Sequence, residues 1–157
     1  MIENHIRDMH GNDEIVTWYK FRIVETLSKT IPYCVNCTSH SELVPKEMLP
    51  LNSDEVLIGR AEGTIEIDGV QIAMIDPDFP EFLTSRRYLL FLQRVPADNL
   101  AILRMGPTGA FSVEGGDAFF PMGKQRSAVK PDRFNEDMNT RFGESLTRLK
   151  THLEESK

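Results

Sequence analysis

The sequence predicts a mainly β domain finished by one C-terminal helix, and three observations carry that reading. Short apolar or alternating runs of strand length recur from Glu14 to Phe120. Turn chemistry separates them, at Asp68-Gly69, Asp76-Pro77, Pro96-Ala97-Asp98-Asn99, Gly106-Pro107-Thr108-Gly109 and Gly115-Gly116-Asp117. After Pro131 the spacing changes: Phe134, Met138, Phe142, Leu146, Leu149 and Leu153 fall on one helical stripe. Six or seven short strands and then a helix suggest a small closed or partly open OB-like β-barrel. A β-sandwich with a terminal helix is the alternative.

Residues 1–13 are polar and aperiodic and are expected to form a flexible N-terminal segment, which leaves 14–157 as one domain. From Glu14 to Leu27, Tyr19, Phe21 and Ile23 alternate with Lys20, Arg22 and Val24. That pattern predicts a long strand with one buried face. Residues 28–53 hold Pro32, Pro45 and Pro50 without a sustained period, and read as a long excursion with a helical turn near Ser41–Leu43. Glu55–Arg60 and Thr64–Ile67 read as strands. Asp68-Gly69 then signals a two-residue hairpin into Val70–Ile75. Arg86–Gln93 is the most apolar run, expected to be a central strand with Leu90 or its neighbours in the core. Leu100–Met105, Ala110–Glu114 and Ala118–Phe120 continue the meander, and a helix is expected over 134–155 with Gly143 as a break in it.

Composition narrows the function classes. The chain has 157 residues, 40% hydrophobic and 27% charged, which suits one globular domain and excludes intrinsic disorder. Its net charge of −6 sets it against polyanionic partners, so neither nucleic acid nor an acidic membrane is expected. No apolar run approaches the ~18 residues of a membrane-spanning helix. No basic region followed by an apolar one opens the chain, which taken alone reads as cytoplasmic.

Candidate chemistry centres on Cys34 and Cys37. A Cys-x-x-Cys pair is a redox dithiol, half a zinc site or a disulfide. Pro32-Tyr33-Cys34-x-x-Cys37 resembles a glutaredoxin active site in its residues. Redox catalysis requires a helix start at the first thiol to lower its pKa, and no such start or βαβ pattern surrounds Cys34. Cys34, Cys37 and His40 supply three zinc donors, with His5 or His10 as a distant fourth, but no second Cys pair completes a site. The plainer reading is a local disulfide or two quiet thiols.

Asp76, Asp78 and Glu81 cluster at a proline turn, where turn chemistry already accounts for Asp and the calcium-loop spacing is missing. The basic groups Arg86, Arg87, Lys124, Arg126 and Lys130, with Tyr19, Phe21, Tyr88 and Phe91, would suit single-stranded nucleic acid or an oligosaccharide on an OB-like barrel. Core packing uses those aromatics, and the acidic whole opposes the reading. Nucleophile elbow, phosphate loop and His-Glu-x-x-His motifs are missing from the sequence. The expected function is a non-catalytic structural or binding module without a cofactor. Thiol–disulfide exchange at Cys34 and Cys37 is the enzymatic rival.

Three segments together carry a resemblance. Thr17-Trp18-Tyr19-Lys20-Phe21-Arg22-Ile23-Val24-Glu25-Thr26-Leu27, Arg86-Arg87-Tyr88-Leu89-Leu90-Phe91-Leu92 and Gly106-Pro107-Thr108-Gly109-Ala110-Phe111-Ser112-Val113 occur in that order. They resemble a set of uncharacterised, usually exported bacterial β-barrel proteins, frequent in acidobacteria-like genomes. Their strands follow Y-x-F-x-V-x-E-x-L, Y-L-L-F-L and G-x-x-G-x-F-x-V. The resemblance implies a barrel fold, a periplasmic or secreted setting, and a disulfide between Cys34 and Cys37 in that setting. It implies no catalytic residue. Similar proteins carry an extra strand before the aromatic one, so the edge of Glu14–Leu27 is expected to stand open here, with residues 1–13 folding back to cover it as the competing outcome. An open edge is a template for another chain. The expected partner is a second copy, with Trp18, Lys20 and Arg22 as interface candidates.

Overall fold

The computed structural model describes residues 2–9, 12–27, 44–95, 100–103, 109–122, 138, 141–143 and 145–155. Within them the chain is mainly β with one C-terminal helix, as its patterning predicts. The strands are β1 (Ile2–Met9), β2 (Asn12–Arg22), β3 (Glu55–Ala61), β4 (Gly63–Ile67), β5 (Val70–Met74), β6 (Arg87–Leu90), β7 (Leu92–Arg94), β8 (Leu100–Leu103), β9 (Ala110–Glu114) and β10 (Ala118–Pro121). The helix α1 spans Leu146–Glu155. Three sheets form, in the orders β1-β2-β3-β8-β7, β10-β9-β6 and β4-β5. No closed barrel is found among the described residues. Alternation tells which face of a strand is buried, but not which distant strand it pairs with, and closure depends on the second.

The elements gather into two compact units. The first is built on β1–β5 with β7 and β8. In it β1 pairs antiparallel with β2 from Ile2↔Tyr19 to Met9↔Asn12. The segment expected to be flexible thus supplies a strand over residues 2–9, and β1 occupies the edge of β2 that was expected to be open. Backbone pairing needs no apolar pattern, so polarity concealed this strand. On its other side β2 pairs with β3, from Val16↔Ala61 to Arg22↔Glu55. A parallel pairing, Leu57↔Leu100 and Ile58↔Ala101, joins β3 to β8.

One face of β2 and β3 carries the core, where Val16, Trp18 and Leu57 pack with Val44, Met48, Val95 and Leu100. Met48 is fully buried at the end of a short 3₁₀ turn, Lys46–Met48, while the turn expected at Ser41–Leu43 lies outside the described residues. Trp18 faces Gly59 across the ladder, and a Cβ at Gly59 would stand 2.9 Å from the indole Cζ3. Glycine there is what lets the large ring lie flat on the neighbouring strand.

The second unit holds β6, β9, β10 and α1. Here the expectation for Arg86–Gln93 is corrected. The run divides at Phe91 into β6 and β7, which belong to different sheets, and β6 is an edge strand with Leu90 half-buried. The central strand is β9. Its Phe111 packs with Phe119, Met138, Phe142, Leu146 and Leu149. An unbroken apolar run records burial on both faces and says nothing of a change of sheet within it.

Gly143 (φ +53°) interrupts the C-terminal stripe as expected, and α1 begins just after it. Asp117, at the turn between β9 and β10, closes the helix start. Its carboxylate accepts from Thr147 N (2.8 Å), Thr147 Oγ1 (2.6 Å) and Ser145 Oγ (2.8 Å). Its carbonyl accepts from Leu146 N at 2.9 Å, and Ser145 Oγ accepts from Arg148 N at 3.3 Å. Two of the helix's first N–H groups are thereby satisfied by a turn about thirty residues away in sequence.

These contacts hold the Asp117 carboxyl below the ordinary carboxylate range, chiefly the Thr147 hydroxyl, then the Thr147 N–H and the Ser145 hydroxyl. A depressed carboxyl pKa stabilises the fold above the unfolded value of ~3.9, and that stabilisation is lost as pH falls through the folded value. Helix ellipticity is therefore expected to be flat above that range and to fall on further acidification. Asp117→Asn should flatten this acid limb. An unchanged limb in that variant would show that Asp117 does not set it.

Candidate functional site

Two features of the first unit meet at one junction. The first is a buried polar network on the face of β2 and β3 opposite the core. Thr17 and Arg60 are direct cross-strand partners, and Thr17, Tyr19, Arg60 and Glu62 are all buried. The Tyr19 hydroxyl donates to Glu62 Oε1 at 2.6 Å, and Arg60 Nη2 pairs with Glu62 Oε2 at 2.5 Å. Thr17 Oγ1 donates to the Glu62 carbonyl at 2.6 Å, while Glu62 N donates to the Arg60 carbonyl at 2.9 Å. The Arg60 guanidinium also lies 5.9 Å from the Tyr19 ring centroid. Every polar atom of Glu62 is thus engaged, as a buried carboxylate requires.

Glu62 is the single residue between β3 and β4. Gly63 follows it at φ +131°, a backbone conformation that favours glycine. Together they fix the direction in which the chain leaves the sheet. The network is therefore a positioning device, and what it positions is the second feature.

That feature is the ribbon β4–β5. Asp68 (φ +51°) and Gly69 (φ +78°) form its two-residue turn, the conformation that Asp-Gly supplies in hairpins. The register pairs Gly63↔Met74, Thr64↔Ala73, Ile65↔Ile72, Glu66↔Gln71 and Ile67↔Val70. Directly opposed residues share a face, so Ile65, Ile67, Val70, Ile72 and Met74 make one apolar side, with Thr64, Glu66, Gln71 and Ala73 on the other. Toward the turn the apolar side is open to solvent: Ile67 is 41%, Val70 61% and Ile72 44% exposed. Ile65 and Met74, nearer the base, are half-buried.

In the second unit an open groove of about 530 Å³ runs along α1, lined in part by Arg141, Phe142, Arg148 and His152. The Thr147 and Thr151 hydroxyls beside it are turned to Asp117 and to the Thr147 carbonyl. Glu155 also lines the groove. It reads as the solvated side of an amphipathic helix.

Among the residues singled out from the sequence, Cys34, Cys37 and His40 lie outside the described residues, as do His10, Lys124, Arg126 and Lys130. Trp18 is a core residue, 6% exposed. Lys20 is half-buried and pairs with Glu55 at 3.2 Å, and Arg22 is exposed. Both edges of β2 beside Trp18 are taken, by β1 and β3. Tyr19 is buried, while Phe21, Tyr88 and Phe91 are half-buried. Among the described residues no three His, Cys, Asp or Glu side chains are grouped to hold a metal ion. The network at Arg60 and Glu62 escaped sequence reading. Its one signal was two charged residues, Arg60 and Glu62, flanking Ala61 at the end of β3. Compared with protein-family models, curated proteins and solved structures, the chain matches none of them.

Proposed function

We propose that this chain is a non-catalytic binding module whose contact surface is the apolar face of the β4–β5 ribbon. The exposure of Ile67, Val70 and Ile72 on one side of a regular hairpin carries the reading. A two-stranded ribbon is marginal on its own in water, and a grouped apolar face that stays open marks an interaction site. The buried Glu62 network supports the same reading, because it anchors the ribbon's base while leaving its outer half uncovered. A second copy adding by strand pairing, expected from the sequence at β2, would meet β1 at that side of the sheet instead.

The test is photo-crosslinking in cells from a photoreactive residue at position 70, with position 22 as the control. A defined adduct is expected from position 70 alone, and it should vanish with Ile72→Asp while far-UV dichroism is unchanged. Equal adducts from both positions, or adducts that survive Ile72→Asp, would remove the ribbon as the contact surface.

A further inference from the structure

We infer that the occupant of this face is a polypeptide segment whose own apolar stripe is rimmed by Lys and Arg. The inference rests on the binding reading above and adds the partner's chemistry. From Ala61 to Pro77 the chain carries Glu62, Glu66, Asp68 and Asp76 and no Lys or Arg. Glu62 is taken by Arg60. Glu66 and Asp68 are exposed, and neither is paired among the described residues. Asp68 is fixed at the tip by the positive-φ turn, and Glu66 sits between Ile65 and Ile67 on β4.

A five-residue strand is about 17 Å long and its neighbour about 5 Å away. Asp68, at the tip, therefore lies within roughly a Debye length, ~10 Å at 0.1 M salt, of the exposed apolar side chains, and Glu66 acts on them from the ribbon's other side. Any segment covering that face brings its rim into their field.

Charge decides among the occupants. A second copy would add an equal set of carboxylates to the same seam, on a chain whose net charge is already −6. An anionic lipid surface is repelled for the same reason, and membrane-binding segments carry Lys and Arg where this ribbon carries Glu66 and Asp68. A cationic amphipathic segment gains on both counts. Its apolar side removes Ile67, Val70 and Ile72 from water, and its rim charges meet Asp68 at the tip, while Glu66 adds to the field from the ribbon's other side, which also speeds the encounter.

The experiment uses the full chain and two labelled synthetic peptides of equal length, one alternating Leu with Lys and one alternating Leu with Glu, followed by fluorescence anisotropy. The Leu/Lys peptide is expected to bind at least about tenfold more tightly, with affinity falling as salt rises from about 50 to about 300 mM. Ile72→Asp should abolish binding even though it adds a negative charge. Glu66→Lys with Asp68→Asn, which keeps a residue that tolerates positive φ at the turn, should reverse the preference between peptides.

Equal binding of both peptides, lost in Ile72→Asp, would overturn the charge inference and leave the binding surface standing. Binding of neither peptide, or binding indifferent to Ile72→Asp, would overturn both. Dimerisation of the chain, or capture by phosphatidylserine vesicles, that disappears in Ile72→Asp would also overturn the inference by naming a different occupant.

Discussion

Replacing Glu62 with Ala is expected to cost about 3–5 kcal/mol, the range for breaking a buried ion pair from one side. The cost comes from what stays behind. Arg60 is 8% exposed and would keep a buried guanidinium without its carboxylate, and the Tyr19 hydroxyl would lose its 2.6 Å acceptor. A buried guanidinium that loses a carboxylate partner keeps its desolvation cost and loses the attraction that offset it. Glu62→Gln separates the effects: it keeps an acceptor for Tyr19 but removes the charge opposite Arg60, so its loss should be smaller and should grow at low salt. Urea titrations of the three proteins supply the comparison. A loss under about 1 kcal/mol in Glu62→Ala would show that water reaches Arg60 freely and that the network does not anchor the ribbon.

The second large effect belongs to Phe111. Phe111→Ala is expected to cost about 3–5 kcal/mol, the usual range for removing a buried aromatic side chain. Phe111 is 1% exposed on the central strand of its sheet. Its ring meets Phe119 edge-on at 5.5 Å and Phe91 at 6.0 Å, and the same cluster receives Leu146 and Leu149 from α1. Truncation would open a cavity bounded by a helix and a sheet, neither of which can collapse without losing its own contacts. Leu90→Ala should cost clearly less, because Leu90 is half-buried on an edge strand. The reverse order in a denaturant titration would restore the run at 86–93 as the centre of the core.

The candidate surface was half legible in the sequence. Asp68-Gly69 between alternating runs gave the hairpin, its register and the residues that share its apolar face. Nothing local said that this face would stay exposed, since an alternating pattern ordinarily marks a strand with its apolar side covered. The anchoring network was not legible at all. Tyr19 and Glu62 are 43 positions apart, and no periodicity of either strand records that they meet.

What the sequence determined by itself is therefore what neighbouring residues decide among themselves. The paired positive φ values at Asp68-Gly69 and Gly115-Gly116, the strand Ala110–Glu114, and the interruption of the helical stripe at Gly143 all follow from sterics and period within a few residues. The tertiary structure decided which strand found which. It placed the polar residues 2–9 along β2, divided the apolar run after β6 between two sheets, joined β3 to β8 in parallel and turned Glu62 inward. The physical reason is common to all four. Backbone pairing is blind to side-chain identity, and the burial that selects one distant partner over another exists only once the chain has closed on itself.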